Sequence, residues 1–281
     1  MTGSLTIGIS PGIQEIVLNP GEVYEGDFLV LNPYPDGAKI DYEISVRPLS
    51  VKDELYNLSF SVADDYNQIV DWVTLAKREG TLLPKEEASI HYVISVPEDA
   101  PAGGQYLSFI AAIKNPNASS DAGISVSDNT RVASLLYATV KGETRESGRI
   151  IENNIPLFSL DTPIRTTSVV QNTGNVHGRA TYVLQVFPLF SDEEVFTNAE
   201  TPAESTIIPA TKLFSEKTWD STPMLGIYRV VQTIKFAGVE DSAESVSIVC
   251  PIWFLGLCIL FIASVISMFI NKIKMHKKPW L

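Results

Sequence analysis

Between Ile248 and Ile270 the chain runs for 23 residues, IVCPIWFLGLCILFIASVISMFI, without a charged side chain. A bilayer core offers no water to backbone polar groups, so such a run is usable there only as a helix that closes its own hydrogen bonds. Rising about 1.5 Å per residue, it would cover roughly 34 Å, enough for the hydrocarbon layer. One transmembrane helix is therefore expected, as a membrane segment at 246–271 with a short basic tail at 272–281. Lys272, Lys274, Lys277 and Lys278 follow the run, with His276 among them, while Glu240, Asp241 and Glu244 precede it. The positive-inside rule then puts the tail in the cytoplasm and everything before the helix outside, as a single-pass protein of the cell membrane. Ile248, Trp253, Leu257, Phe261 and Ile270 mark the anchor. Trp253 and Trp280 suit the two interfaces, although Trp253 lies rather deep in a helix that starts at Ile248. Gly256, Ala263, Ser264 and Ser267 offer small residues for helix pairing, and so for partners in a membrane complex.

An exported N-terminal region needs an export signal. Met1-Thr-Gly-Ser-Leu-Thr-Ile-Gly8 has neither a basic start nor an apolar run, so the expectation is a chain whose signal has been removed. Cys250 and Cys258 both fall in the apolar run, which leaves the exported part to fold without disulfides. For Cys250 a small apolar side chain is favoured over a lipidated one.

Hydrophobic residues make up 45% of the chain and charged residues 19%, a balance that supports packed cores rather than disorder. All 33 acidic residues precede Ile248, against 17 of the 21 lysines and arginines. That surface repels phosphate backbones, which excludes nucleic acid as a partner.

Before the apolar run the pattern is short strands divided by turn residues. Asp41-Tyr-Glu-Ile-Ser-Val46 alternates, with Tyr42, Ile44 and Val46 inward; Tyr24 to Asn32 puts Phe28 and Val30 on one face and Leu29 and Leu31 on the other. Ser89–Val96, Gln105–Ile113 and Val132–Val140 complete a first set. A second set follows: Ile164–Val170, Gly178–Pro188, Thr211–Trp219 and Gly226–Ala237, with Ile207-Ile-Pro-Ala210 as the turn before an edge strand. Element order repeats between the sets. "FLVLNPYPDG" (28–37) and "VVQNTGNV" (169–176) both run from an apolar strand into an Asn-led turn, and Gly-Gln-Tyr106 and Gly-Ile-Tyr228 both open a late strand. In the second turn Gly174 is expected to supply positive φ. The junction lies near 141–155. The fold class expected is all-β: two Ig-like β-sandwich domains in tandem, at 1–143 and 144–245, followed by one C-terminal transmembrane α-helix.

The stretches "ISPGIQEIVLNPGEVYEGDFLVLN", "YEISVRPL", "DWVTL" and "VPEDAPAGGQYLSFIAAI" resemble the N-terminal domain of the WxL-interacting proteins, over roughly residues 5–141. These are Gram-positive-type surface proteins with a peptidoglycan-binding Ig-like domain, a second Ig-like domain that binds a host partner, and a C-terminal membrane helix. The resemblance implies a membrane-anchored extracellular binding or adhesion protein that holds cell-wall glycan (peptidoglycan) or another surface protein. The alternative is a scaffold or chaperone-like subunit of a surface assembly, using an open sheet edge for β-strand addition.

No pattern for catalysis stands out, and an enzyme is not expected. His91, His177 and His276 lack metal-ligand spacing, and no cysteine pair or calcium loop occurs, so no metal or other cofactor is expected. The carboxylate pairs Asp64-Asp65, Glu86-Glu87 and Asp192-Glu193-Glu194 sit beside turn residues and read as solvated loops. For a ligand surface the candidates are Tyr34 and Tyr66 in loops, and Trp72, which would stack on a sugar or, more simply, pack in the core on a strand with Val70 and Val73. Tyr24 and Tyr106 are further aromatic candidates. Asn57-Leu-Ser59 and Asn117-Ala-Ser119 fit the glycosylation sequon, which carries little weight in a bacterial chain.

Overall fold

The alternation of Asp41–Val46 is what a strand with one face in a core requires, and that face is buried. Tyr42 and Ile44 are shielded from water and Val46 packs on the same cluster, while Glu43 is exposed. The structure is a computed structural model; it describes residues 6–35, 39–114 and 130–276, with side chains described through Ile270 and at Lys272. The chain divides into two compact units. The first comprises residues 1–148 together with 171–178 and 206–213; the second comprises 149–170, 179–205 and 214–281.

The first unit contains β1 (Gly8–Ser10), β2 (Ile13–Leu18), β3 (Val23–Leu31), β4 (Ile40–Pro48), β5 (Ser50–Val51), β6 (Leu58–Ser59), the single turn α1 (Ile69–Trp72), β7 (Val73–Leu75), β8 (Glu79–Leu82), β9 (Glu87–Ser95), β10 (Gly103–Ile113) and β11 (Arg131–Val140). One sheet has the order β1-β3-β9-β7 and the other β2-β11-β10-β4-β8. The core between them takes Phe28 and Val30 from β3, Ile90 and Tyr92 from β9, and Leu107 and Phe109 from β10. Leu29, by contrast, is exposed, as the face assignment requires.

The second unit is built on β12 (Gly148–Asn154), β13 (Phe158–Ser159), β14 (Ile164–Asn172), β15 (Gly178–Pro188), β16 (Phe196–Thr197), β17 (Ala203–Ile207), β18 (Lys212–Trp219), β19 (Gly226–Phe236) and β20 (Val239–Val249). Its sheets run β12-β14-β18 and β13-β20-β19-β15-β16, with β17 also on β15. Ile164, Trp219, Val186 and Val230, drawn from both sheets, share one core cluster. Helix α2 (Ile252–His276) ends the described chain.

The repeat is thus a repeat of topology. In each unit a short early strand runs parallel to the last strand, β2 beside β11 and β13 beside β20, and the last strand pairs antiparallel with the one before it. The shared Gly-x-Tyr has a physical cause in both places. The ring of Tyr106 lies over Gly104 and that of Tyr228 over Gly226, where a Cβ would collide with it. The two Asn-led turns also share a device. Asn32 and Asn172 are both buried, and each accepts the N–H two residues on, from Tyr34 (3.3 Å) and Gly174 (2.8 Å).

Four expectations are corrected. Ile248 is not in the membrane helix; it lies in β20, one residue before its end and opposite Ile227 and Phe158, because its outward alternation continues the strand. Cys250 likewise precedes α2. Gly174 does not need positive φ; it is glycine because a Cβ there would run into the Arg145 carbonyl. Val70 and Trp72 lie on the α1 turn rather than on a strand.

Candidate functional site

Strand β10 is buried on both sides, so its outward residues report what covers the first sandwich. Leu107, Phe109 and Ala111 point to the main core. Tyr106, on the other face, joins Tyr137, Leu49 and Ile208 in a second buried cluster. The segment after β4 forms its lid: the β5–β6 hairpin and the following loop bring Val51, Tyr56, Leu58, Phe60 and Tyr66 against it. Asn67 ties the lid down, donating from Nδ2 to Leu49 O (2.9 Å) and Tyr106 O (2.7 Å) and accepting from Asp64 N (2.9 Å). Gln105 holds the next turn through Ile69 N (3.2 Å) and Asp65 O (3.3 Å). Burial pushes the Tyr106 phenol well above its ordinary range, so it stays neutral beside His177, 3.3 Å away.

The lid covers only one end of the face. Beyond it the register places Ser45, Ile110 and Ala133 in one row and Glu43, Ala112 and Arg131 in the next. Ser45, Ile110, Ala112 and Ala133 of these rows form the floor of a groove of about 630 Å³, walled on the lid side by Leu58, Phe60 and Ser61. Arg47, Lys52 and Arg131 stand on its rim with Glu43 as the one carboxylate. Among the described residues none of these three cations takes part in an ion pair. Before Ile248 acids outnumber bases by 33 to 17, so that is a local reversal of sign.

The groove also borders a sheet edge. The pairing of β2 with β11 starts at Ile13 and Leu135, so Arg131–Ser134 extends past it. Leu135 N–H points to the β2 side, where Gly12 O accepts it (2.9 Å). N–H and C=O alternate sides along a strand, so Arg131 and Ala133 direct theirs to the same side. Among the described residues no backbone bond fills these positions.

The residues singled out from sequence are not brought together. The Tyr34 hydroxyl accepts Thr6 N–H at 3.1 Å, Tyr66 packs into the lid, and Trp72 is partly buried on the main core. Tyr106 is fully buried, and the half-buried Tyr24 packs beside Tyr92 at 6.4 Å. His91 lies on β9 between Asp27 (3.3 Å) and Glu25 (3.8 Å). Two of the carboxylate pairs hold their own turns, Asp64 accepting Tyr66 N–H and Glu86 accepting Leu83 N–H, while Asp192 of the third pairs with Arg229 on β19. Asn57 is held by Asp53 (2.9 Å), and the sequon at Asn117 lies outside the described residues. Among the described residues no group of three His, Cys, Asp or Glu gathers that could hold a metal ion.

Of the anchor, Ile252–Ile270 is a span of 19 residues, roughly 28 Å of helix, and it is not buried in the protein. Trp253, Leu257, Phe261 and Ile270 are exposed along it. Trp253 is its second residue, hence at an end rather than deep. Lys272 is exposed on α2 and Lys274 lies within α2, while Lys277, Lys278 and Trp280 lie outside the described residues. Arg47, Lys52 and Arg131 were not singled out from sequence. The signal was present: once Tyr42, Ile44 and Val46 are inward, Glu43, Ser45 and Arg47 must be outward.

Together these features define a class: a two-unit β-sandwich protein with one helix long and apolar enough to cross a membrane. No family model matches the chain, and the search of curated proteins found no relative. Solved structures do resemble it. A chain of the chaperone–tip adhesin complex of CFA/I fimbriae covers 88% of this chain and 99% of its own length at 12% identity, with a TM-score of 0.40. For the YadV chaperone the values are 86%, 100%, 8% and 0.41, and for the E. coli chaperone DraB 86%, 98%, 12% and 0.33.

Proposed function

We propose that the protein is a membrane-anchored scaffold, built of tandem Ig-like domains, that holds an extended segment of another surface protein against its first sandwich. The observation that carries this is the groove lying beside the unpaired stretch of β11. A strand added at Arg131–Ala133 gains main-chain hydrogen bonds. Alternate side chains of that strand fall onto the Ile110, Ala112 and Ala133 floor, and its carboxylates meet Arg47, Lys52 and Arg131. In this reading α2 crosses the cell membrane with its lysines in the cytoplasm, the sandwiches lie outside, and no catalysis is involved. The second reading, cell-wall glycan held by a WxL-interacting-type domain, is supported by the sequence stretches that resemble that family.

The test uses the full chain in phosphatidylcholine nanodiscs and two probes: a ten-residue strand peptide alternating valine with glutamate, and purified peptidoglycan sacculi. Ala133→Pro removes only an outward N–H, so the β10–β11 ladder survives. Strand addition predicts that Ala133→Pro and Arg131→Glu each weaken peptide binding about tenfold or more at unchanged melting temperature. Sacculus binding that both variants retain, with no peptide binding by the parent chain, overturns it in favour of the glycan.

A further inference from the structure

We propose that the end of the second unit leading into α2 is itself a lipid-contacting surface, a patch of apolar side chains seated in the headgroup region of the bilayer. The proposal rests on the reading of α2 as a membrane span. Strand β20 ends at Val249 and α2 begins at Ile252, so only Cys250 and Pro251 lie between them. Three residue steps reach at most about 11 Å. The junction is also fixed: Ile248 N–H donates to Leu157 O (2.8 Å), Cys250 N–H donates to Ser159 O (2.9 Å), and Pro251 is buried. That end of the sheet therefore stands at the level where α2 enters the hydrocarbon.

What gathers there is apolar. Phe158, opposite Ile248, is 61% exposed and Leu157 before it 53%. Because β13 runs parallel to β20, Leu160 continues toward the membrane beside Cys250. Met224 and Leu225, both exposed, immediately precede Gly226, which lies opposite Val249. Leu189 N–H donates to Ile227 O (3.1 Å), which draws the β15–β16 loop to the same end, and its Phe190 is 96% exposed. Six large apolar side chains at one end of a sandwich form a patch that water alone does not favour. The far end of the same sheet differs, with the Lys235–Glu240 ion pair (3.1 Å) beside the β19–β20 turn.

The occupant is the apolar part of the interface rather than anionic headgroups. Arg165, at the start of β14, and Arg229, two residues after Ile227, are paired with Glu216 and Asp192, and Asp161 and Glu193 add negative charge. Trp253, exposed on the first turn of α2, joins the patch as an interfacial aromatic. The sandwich is thus attached twice, by α2 and by its own end, which restricts its swivel about the helix.

The experiment places 4-fluorophenylalanine singly at Phe158, Phe190, Phe236 or Phe261 in the full chain, reconstituted in phosphatidylcholine vesicles. Fluorine relaxation is read with spin labels on the lipid headgroup and, separately, deep in the acyl chain. The headgroup label is expected to speed relaxation severalfold more at Phe158 and Phe190 than at Phe236, which closes the far end of β19. Equal relaxation at all three, with Phe261 relaxed by the acyl-chain label, overturns the patch and leaves the anchor. No effect of the acyl-chain label at Phe261 overturns the anchor and the patch together.

Discussion

The two sandwiches share a strand order but spend their outer surfaces differently. In the first, a lid of about 18 residues after β4 covers the Tyr106–Tyr137 end of the β10 face and leaves a groove with a cationic rim. In the second, the corresponding strand β19 sets Tyr228 against Trp219 of β18 at 5.0 Å inside the core, and the apolar excess appears at the end next to α2. One topology thus carries two kinds of surface, depending on whether the penultimate strand is capped from outside or its end is left bare. Breaking one unit at a time tests whether that division holds.

The largest effect is expected from Phe109→Ala. Phe109 stacks on Phe28 at 4.7 Å and meets Tyr92 at 4.8 Å, all fully buried. Truncation leaves a cavity worth about 3–5 kcal/mol. Urea unfolding should show the first unit's transition shifted by that amount and the second's unmoved. Parallel shifts of both would mean that the units unfold as one cooperative body.

Asn67→Ala should come next. It leaves two buried carbonyls and one N–H short of a partner, each costing roughly 1–3 kcal/mol, with relaxation reducing the sum to about 2–4 kcal/mol. Hydrogen exchange should rise across 50–67 and stay low in β10. An unchanged lid would show that Tyr66 and Phe60 hold it without the asparagine.

Much of this was legible in the sequence, for reasons that can be named. Alternation gave Phe28, Val30, Tyr42 and Ile44 as core residues because burial on one face is the cause of alternation. The paired Gly-x-Tyr and Asn-led turns gave the repeat because each is a local steric or hydrogen-bond device. What failed was the end of β20. Val246, Ile248 and Val249 are as apolar as the helix that follows, and hydropathy does not separate a half-buried strand from a membrane segment when no charge divides them. The groove was hidden for another reason: its cations come from β4, the lid and β11, which only tertiary pairing brings together.

The smallest effect expected concerns acid. Glu22, Asp53 and Glu79 are held below the ordinary carboxylate range, and all three belong to the first unit. For Asp53 the main cause is the Asn57 side-chain amide, and for Glu79 the Lys114 ammonium. Glu22 closes the turn after β2, where its Oε2 accepts the backbone N–H of Asn19 (2.7 Å) and the Asn19 side-chain amide (2.8 Å). A carboxyl whose value is lowered by folding contributes stability that is complete above its unfolded value, here 4.5, and that is lost as pH falls through the folded one. The side chain is exposed, so the contribution is small. Glu22→Gln should therefore destabilise the first unit slightly at pH 7, and the gap between variant and parent should close as pH falls below 4.5. A gap that stays constant from pH 7 to 2 would show that the turn is held by the Asn19 carbonyl and Gly21 alone, and that the charge on Glu22 contributes nothing to the difference between the two sandwiches.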